Sequence, residues 1–227
     1  MKIHIITLKP YFWYYIKNNF FLFKKAIEKK KLILNINNLK NYGIGNNKKI
    51  DDYQYGGGYG MILKIEPIYN CIKNIKKTNK INEIIYLTPN TKLFNQKIAN
   101  NLSKKKNIIF ICGHYKGIDQ RLRNKFITKE YSIGNYILSN GEFSTLIVID
   151  TIIRLLPGIF NNNKSIITDS LYKNNKNKFE YPLFTRPYIF KNLKVPKILL
   201  SGNHKKILNW RKNKIKKFFL NKKKGTK

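Results

Sequence analysis

Acidic side chains are scarce in this chain: 11 Asp and Glu stand against 46 Lys and Arg, leaving a formal net charge of +35 over 227 residues. Such an excess attracts a polyanion at low salt. Almost all of it is lysine, however, and Asn, Ile, Tyr and Phe are abundant throughout, as an A+T-rich genome would produce, so composition drift contributes part of the charge. Cysteine is nearly absent. Cys71 and Cys112 make neither a disulfide framework nor a metal-binding spacing, and a reducing cytoplasm is the expectation. Long apolar runs are missing too, which excludes a membrane-spanning helix. Met1 to Leu8 reads as a strand rather than a charged region followed by an apolar one, so no secretory signal is expected.

Arginine is the most informative shortage. Only Arg121, Arg123, Arg154, Arg186 and Arg211 occur, and a chain that writes lysine almost everywhere else keeps arginine where a planar five-donor fork is needed. Four of the five fall in the motifs described below; Arg123 does not, and chance accounts for it. Six of the acids, Asp51, Asp52, Asp119, Glu142, Asp150 and Asp169, lie in or beside the same motifs.

Against these absences, the hydrophobic pattern is that of a globular α/β protein. Lys2 to Leu8 alternates as a strand containing a half-buried His4. Pro10 opens an aromatic helix, Phe20 to Lys31 gives a second, and Leu32 to Leu39 alternates again as a strand. For Tyr11 to Tyr14, packing in a core or interface outweighs stacking on bases. Asn41 to Gly60 is a polar, glycine-rich loop. From Glu66 onward helix and strand alternate: Pro67 to Lys77 helical, Ile81 to Leu87 strand, Lys92 to Lys104 helical, Asn107 to Cys112 strand, Ile118 to Asn124 helical, Tyr131 to Leu138 strand, Gly141 to Leu156 helical. This pattern predicts a mostly parallel sheet with helices on both faces. A polar linker follows at residues 161–171, and the tail from Val195 reads as a short helix and then a longer, very basic one.

Several short stretches carry more than fold information. SIGNYILSNGE (Ser132 to Glu142) reads as strand, tight backbone, strand, turn, helix, with Gly134 and Gly141 placed where a backbone can approach a ligand closely. A bare-backbone pocket of this kind suits a planar ring held by main-chain groups. IIYLTPN (Ile84 to Asn90) and IIFICGHYKGIDQR (Ile108 to Arg121) are apolar strands that run into comparable turns. YGGGYGM (Tyr55 to Met61) has no lysine and hydroxyl after it and is not a phosphate-binding loop.

Together with DTIIRLLPG (Asp150 to Gly158), TDS (Thr168 to Ser170), YPLFTRP (Tyr181 to Pro187) and SGNHKKILNWR (Ser201 to Arg211), these eight elements resemble, in order and spacing, the bacterial tRNA (guanine-N1)-methyltransferase family. The resemblance runs from Lys2 to Arg211. It implies a deep trefoil knot of the SPOUT class in residues 1–160, and a basic, helical tRNA-binding domain at 172–227, shorter than the family's. It further implies S-adenosylmethionine bound by Tyr86, Leu87, Thr88 and Pro89, by Gly113, Tyr115 and Gly117, and by Ile133, Gly134, Asn135, Tyr136, Ile137, Leu138 and Gly141. Substrate contacts are implied at Gly57, Gly58, Ser165, Ser170, Arg186, His204, Trp210 and Arg211. The implied substrate is the guanosine 3′ of the anticodon, position 37, following another guanosine. An obligate homodimer and magnesium are implied as well, although no acidic cluster in the sequence marks a metal site.

Methylation at guanine N1 requires a base for the N1 proton and a cation for the charge that spreads to O6. Asp169 and Arg154 stand at the family positions for these roles, and Arg154 brings a bidentate reach that lysine lacks. Thr168-Asp169-Ser170 also suits a helix cap. Where the family usually reads SIGDYVLSGGE, this chain has Asn135 and Asn140; where it reads GRYEGID, this chain has His114 and Lys116. Two other readings stay open at this level: a different knotted RNA methyltransferase, and a non-catalytic basic tRNA-binding dimer.

Overall fold

The computed structural model describes residues 1–160 and 181–224, with side chains of the last helix as far as Ile215. The chain divides into two compact units, Met1–Asn161 and Asn162–Lys227.

The first unit is built on a five-stranded sheet of order β2-β1-β6-β5-β7, formed by β1 (Lys2–Thr7), β2 (Ile33–Asn38), β5 (Glu83–Leu87), β6 (Asn107–Ile111) and β7 (Lys129–Tyr131). All four pairings are parallel. The central strands are apolar on both faces, as a sheet covered on both sides requires. Ile3 and Ile5, Ile85 and Leu87, and Ile108 and Phe110 point to one face, where they pack against α1 (Pro10–Asn19), α2 (Phe21–Glu28), α4 (Gln96–Leu102) and α6 (Gly141–Ile153). Ile6, Ile84, Tyr86, Ile109 and Ile111 point to the other, under α3 (Ile65–Thr78) and α5 (Gln120–Phe126). Within α3 the buried Ile68, Cys71, Ile72 and Ile75 follow helical spacing, while Glu66 in the first turn and Lys76 and Lys77 in the last suit the helix dipole. From the aromatic run at the start of α1, Trp13 enters the core and Tyr11 stays exposed.

Three expectations need correction. No strand spans Tyr131 to Leu138: β7 ends at Tyr131, because the Ser132 hydroxyl and the Gly134 peptide hydrogen-bond each other in both directions and turn the chain away from the sheet edge. The β-favouring residues beyond have no strand to pair with. The helix expected from Lys92 begins only at Gln96, where the Asn95 side chain caps it by accepting from the Ile98 N–H at 3.1 Å; residues 92–94 pair instead with Ser132. Finally, the glycine-rich loop is a hairpin of β3 (Asp51–Tyr53) and β4 (Met61–Leu63), invisible in a stretch so polar.

The second unit, by itself, contains a short hairpin of β8 (Ile189–Phe190) and β9 (Leu193–Lys194), a 3-10 turn at Lys197–Leu200 and the long basic helix α7 (His204–Lys224).

His4 is buried rather than half-buried, with Nδ1 3.4 Å from the Asn35 amide and Nε2 without a partner among the described residues. Burial, aided by Lys2, lowers its pKa from 6.5 to about 4. Since the unfolded chain takes up this proton first, the stability His4 confers is complete above pH 6.5 and is lost as pH falls towards 4. Urea unfolding between those values is expected to show a decline of at most about 3 kcal/mol that His4→Leu removes; an identical decline in the variant would refute the assignment.

Candidate active site

Three loops leave the carboxyl ends of the neighbouring strands β6, β5 and β7, the position at which open parallel sheets bind ligands. They are held to one another by backbone hydrogen bonds: Thr88 N–H to Tyr131 O at 3.0 Å, Phe94 N–H to Ser132 O at 2.7 Å, and Gly141 N–H to Gly113 O at 2.8 Å. The last contact leaves no space for a side chain. A Cβ on Gly141 would lie 2.4 Å from the Gly113 nitrogen.

Between the loops lies a cavity of about 720 Å³. Thirteen of the fourteen positions expected to hold a cofactor line it: Tyr86, Leu87, Thr88 and Pro89; Gly113, Tyr115 and Gly117; and Ile133, Gly134, Tyr136, Ile137, Leu138 and Gly141. Asn135 shares the last loop but is exposed and off the wall. Among the described residues the peptide N–H groups of Tyr136, Ile137 and Leu138 have no hydrogen-bond partner. Ile137 is 91% exposed, an apolar side chain held out by a loop whose backbone is unsatisfied. Tyr115 adopts a φ of 56°, a left-handed conformation uncommon for an aromatic residue and characteristic of functional loops. Burial and the Asp51 carboxylate raise its phenol pKa.

The fourth wall comes from the glycine-rich hairpin. Lys116 N–H donates to Met61 O and Leu63 N–H to Gly117 O, both at 3.0 Å, so β4 is fastened alongside the β6 loop. Gly60 and Met61 line the cavity; Gly57 and Gly58 sit at the exposed tip. The Lys116 stem runs across Gly60, whose missing Cβ would stand only 3.0 Å from it.

Charge in the wall is basic, with no Asp or Glu among the lining residues. Arg123, assigned to chance by its sequence context, lines the cavity with its guanidinium 5.7 Å from the Tyr86 ring centre and both ends of its fork on Glu130 at 2.7 Å. Its rarity among so many lysines was the available signal. His114 Nε2 meets Glu142 Oε1 at 2.9 Å, and the Thr7 hydroxyl donates to the same oxygen at 2.6 Å. Burial acts to raise the Glu142 pKa, but the hydrogen bonds from His114 and Thr7 prevail and hold it below the usual carboxylate range.

The remaining expected residues lie elsewhere. Arg154 follows the last turn of α6, at the opposite end from Gly141, and its guanidinium stacks 5.4 Å from the Phe160 ring. Thirteen helical residues separate it from the cavity floor, roughly 20 Å along the axis. Asp169, Ser165 and Ser170 lie outside the described residues. In the second unit Arg211 stacks on Tyr181 at 4.4 Å and Trp210 packs by Phe184 at 6.3 Å, while Arg186 and His204 are exposed.

A family model described as tRNA (guanine-1)-methyltransferase TrmD matches residues 1–224. This chain belongs to that family. A Christiangramia forsetii protein named tRNA (guanine-N(1)-)-methyltransferase is 48% identical over 215 residues, covering 94% of this chain and 92% of the relative. A Clostridioides difficile protein of the same name is 45% identical, covering 93% and 91%. Among solved structures, the tRNA (m1G37) methyltransferase of Aquifex aeolicus superposes with a TM-score of 0.77 at 34% identity, over 96% of this chain and 92% of that one. Family membership therefore extends through the second unit and is not confined to the sheet.

Gly141→Ala tests the closest approach in the site. With backbone rather than a flexible side chain in the way, the variant is expected to lose about 1–3 kcal/mol in urea unfolding; an unchanged midpoint would show that the two loops part easily.

Proposed function

We propose that this chain is an S-adenosylmethionine-dependent tRNA (guanine-N1)-methyltransferase acting on the guanosine 3′ of the anticodon, position 37, where it follows another guanosine. The carrying observation is the cavity itself: thirteen positions from three separated motifs meet around one space at the carboxyl edge of the sheet. Its volume falls within the range of small-molecule sites. Free peptide donors at Tyr136 to Leu138, beside Leu87 and Ile133, suit a purine ring, so the residues present fit the cofactor. When bound, S-adenosylmethionine supplies an electrophilic methyl on a sulfonium and departs as a neutral thioether.

The chain's own groups do the rest. Asp169 accepts the N1 proton of guanine as N1 takes the methyl carbon, and Arg154 offsets the negative charge that moves to O6. Gly57, Gly58, Ser165, Ser170, Arg186, His204, Trp210 and Arg211 grip the RNA, with the lysine-rich α7 adding attraction for its backbone. Residues 161–171 serve as the linker between the cofactor domain, threaded as a trefoil knot, and the RNA-binding domain. Arg154 lies at the far end of α6 from the cavity, which supports a site completed by a second copy of the chain. Phe143 and Ile147, one turn apart on α6 and 46% and 49% exposed, give that copy an apolar stripe to cover. No helix among the described residues is long and apolar enough to cross a membrane, and a cytoplasmic location accords with the two free cysteines. Magnesium does not fit the described part of the site: the wall has no carboxylate, and no group of three His, Cys, Asp or Glu gathers there.

Transfer of labelled methyl to an unmodified tRNA carrying adjacent guanosines, with Asp169→Ala and Arg154→Ala alongside, tests the reading. The parent is expected to label guanine N1 and each variant to fall by about 100-fold or more. Tight tRNA binding without transfer by the parent would refute catalysis.

A further inference from the structure

The hairpin of β3 and β4 is fixed at its base and open at its tip. At the base, Lys116 and Gly117 of the β6 loop hydrogen-bond Met61 and Leu63, and the Asp51 carboxylate meets the Tyr115 phenol. The tip, residues 54–60, has no aliphatic and no acidic side chain. Its rings are Tyr55 and Tyr59, 100% and 94% exposed, and Tyr53 just before them is 78% exposed. Gly56, Gly57, Gly58 and Gly60 all hold φ between 79° and 110°, the left-handed side that glycine enters without strain. Nothing larger than a hydrogen therefore stands between Tyr55 and Tyr59 along the chain.

Rings left in water contribute nothing to the core, and an exposed aromatic patch marks a contact surface. The surroundings fix the kind of partner. Lys48 and Lys116 form no ion pair with any described residue, and the Lys116 stem lies across Gly60. Arg121 is near enough to Tyr55 to feel a charge on its phenol. Rings set among cations, with no acid in the tip to repel a phosphate, suit a ligand that offers flat π-faces and negative charge together. Unpaired nucleic acid is such a ligand. Position ties this surface to the site: Tyr59 directly precedes Gly60 of the cavity wall, with ~3.8 Å between their Cα atoms.

We propose that Tyr55 and Tyr59 form a stacking platform for the unpaired bases that flank the methylated guanosine. The inference rests on reading the chain as a tRNA methyltransferase, and it adds side chains to the grip ascribed to Gly57 and Gly58. Stacking accepts every base, since each has a π-face, so the platform selects unpaired over paired RNA rather than one sequence over another.

Fluorescence anisotropy of an unmodified anticodon-arm RNA carrying adjacent guanosines, titrated with the full chain, tests this. Tyr55→Leu and Tyr59→Leu together keep apolar bulk but no ring, and are expected to weaken binding by about tenfold or more. Tyr55→Phe with Tyr59→Phe keeps both rings and should retain most of the affinity. The salt dependence should be the same in parent and Leu variant, because no phosphate contact is removed. An RNA lacking the bases on both sides of the target should bind the parent more weakly, and the Leu pair should add little further loss. Parent-like RNA binding by the Leu variant overturns the proposal and assigns the patch to another partner, such as a protein; an equal loss in the Phe variant overturns it as well. Parent binding that is indifferent to the missing bases does the same, whether or not the variants fold. Failure of the folded parent to bind any RNA overturns the substrate reading itself, a result distinct from binding without a contribution from the rings.

Discussion

Gly141 and Gly113 approach so closely that neither loop carrying them can be placed independently of the other. The hydrogen bond between them ties the start of α6 to the end of β6, and because α6 packs across the sheet, the position of that one peptide sets the cavity floor. The β5 and β7 loops are registered on each other by the Thr88 and Phe94 peptides. The hairpin of β3 and β4 is then sewn to the β6 loop through Met61 and Leu63. Four local glycine-rich or turn-rich segments thus become one rigid rim. A rim of this kind holds its unsatisfied peptide donors and exposed apolar side chains ready for a ligand.

Scarcity of acid has a second meaning once the fold is known. Glu130 neutralises Arg123, Glu142 receives His114, Asp119 caps α5 while pairing with Arg121, and Asp52 lies between Lys49 and Lys64. The few carboxylates are thus largely engaged with particular neighbours. Most of the lysine surface keeps its charge uncompensated and attracts phosphate over a long range.

How much was legible in the sequence follows from the same physics. Strands buried on both faces, such as NIIFI and EIIYL, announce themselves by continuous hydrophobicity, and the helix-strand alternation after Glu66 specified the parallel sheet. Tyr136-Ile137-Leu138 looked like a strand because local β-preference cannot sense that the sheet ends at β7 and offers no partner. The hairpin around the glycines was hidden because its stabilising bonds run to a loop more than fifty residues later in the chain, at Lys116 and Gly117. The resemblance in motif order pointed to positions that line the cavity, but the bond between Thr7 and Glu142 joins residues far apart in sequence and carries no local signature. Arg123 likewise carries no local signature: its partner and its stacking surface lie on two different strands.

Strand order carries one more consequence, for how the chain is made. β1 is synthesised well before β6, yet it lies inside the sheet, between β2 and β6, with Lys2 opposite Asn107. Until β6 is synthesised, one long edge of β1, with Ile3, Ile5 and Ile6, has no partner. The chain between them must therefore emerge while that edge stays open and sticky, and pairings this distant in sequence close slowly. A window of exposure to wrong pairing during folding follows from the order of the strands.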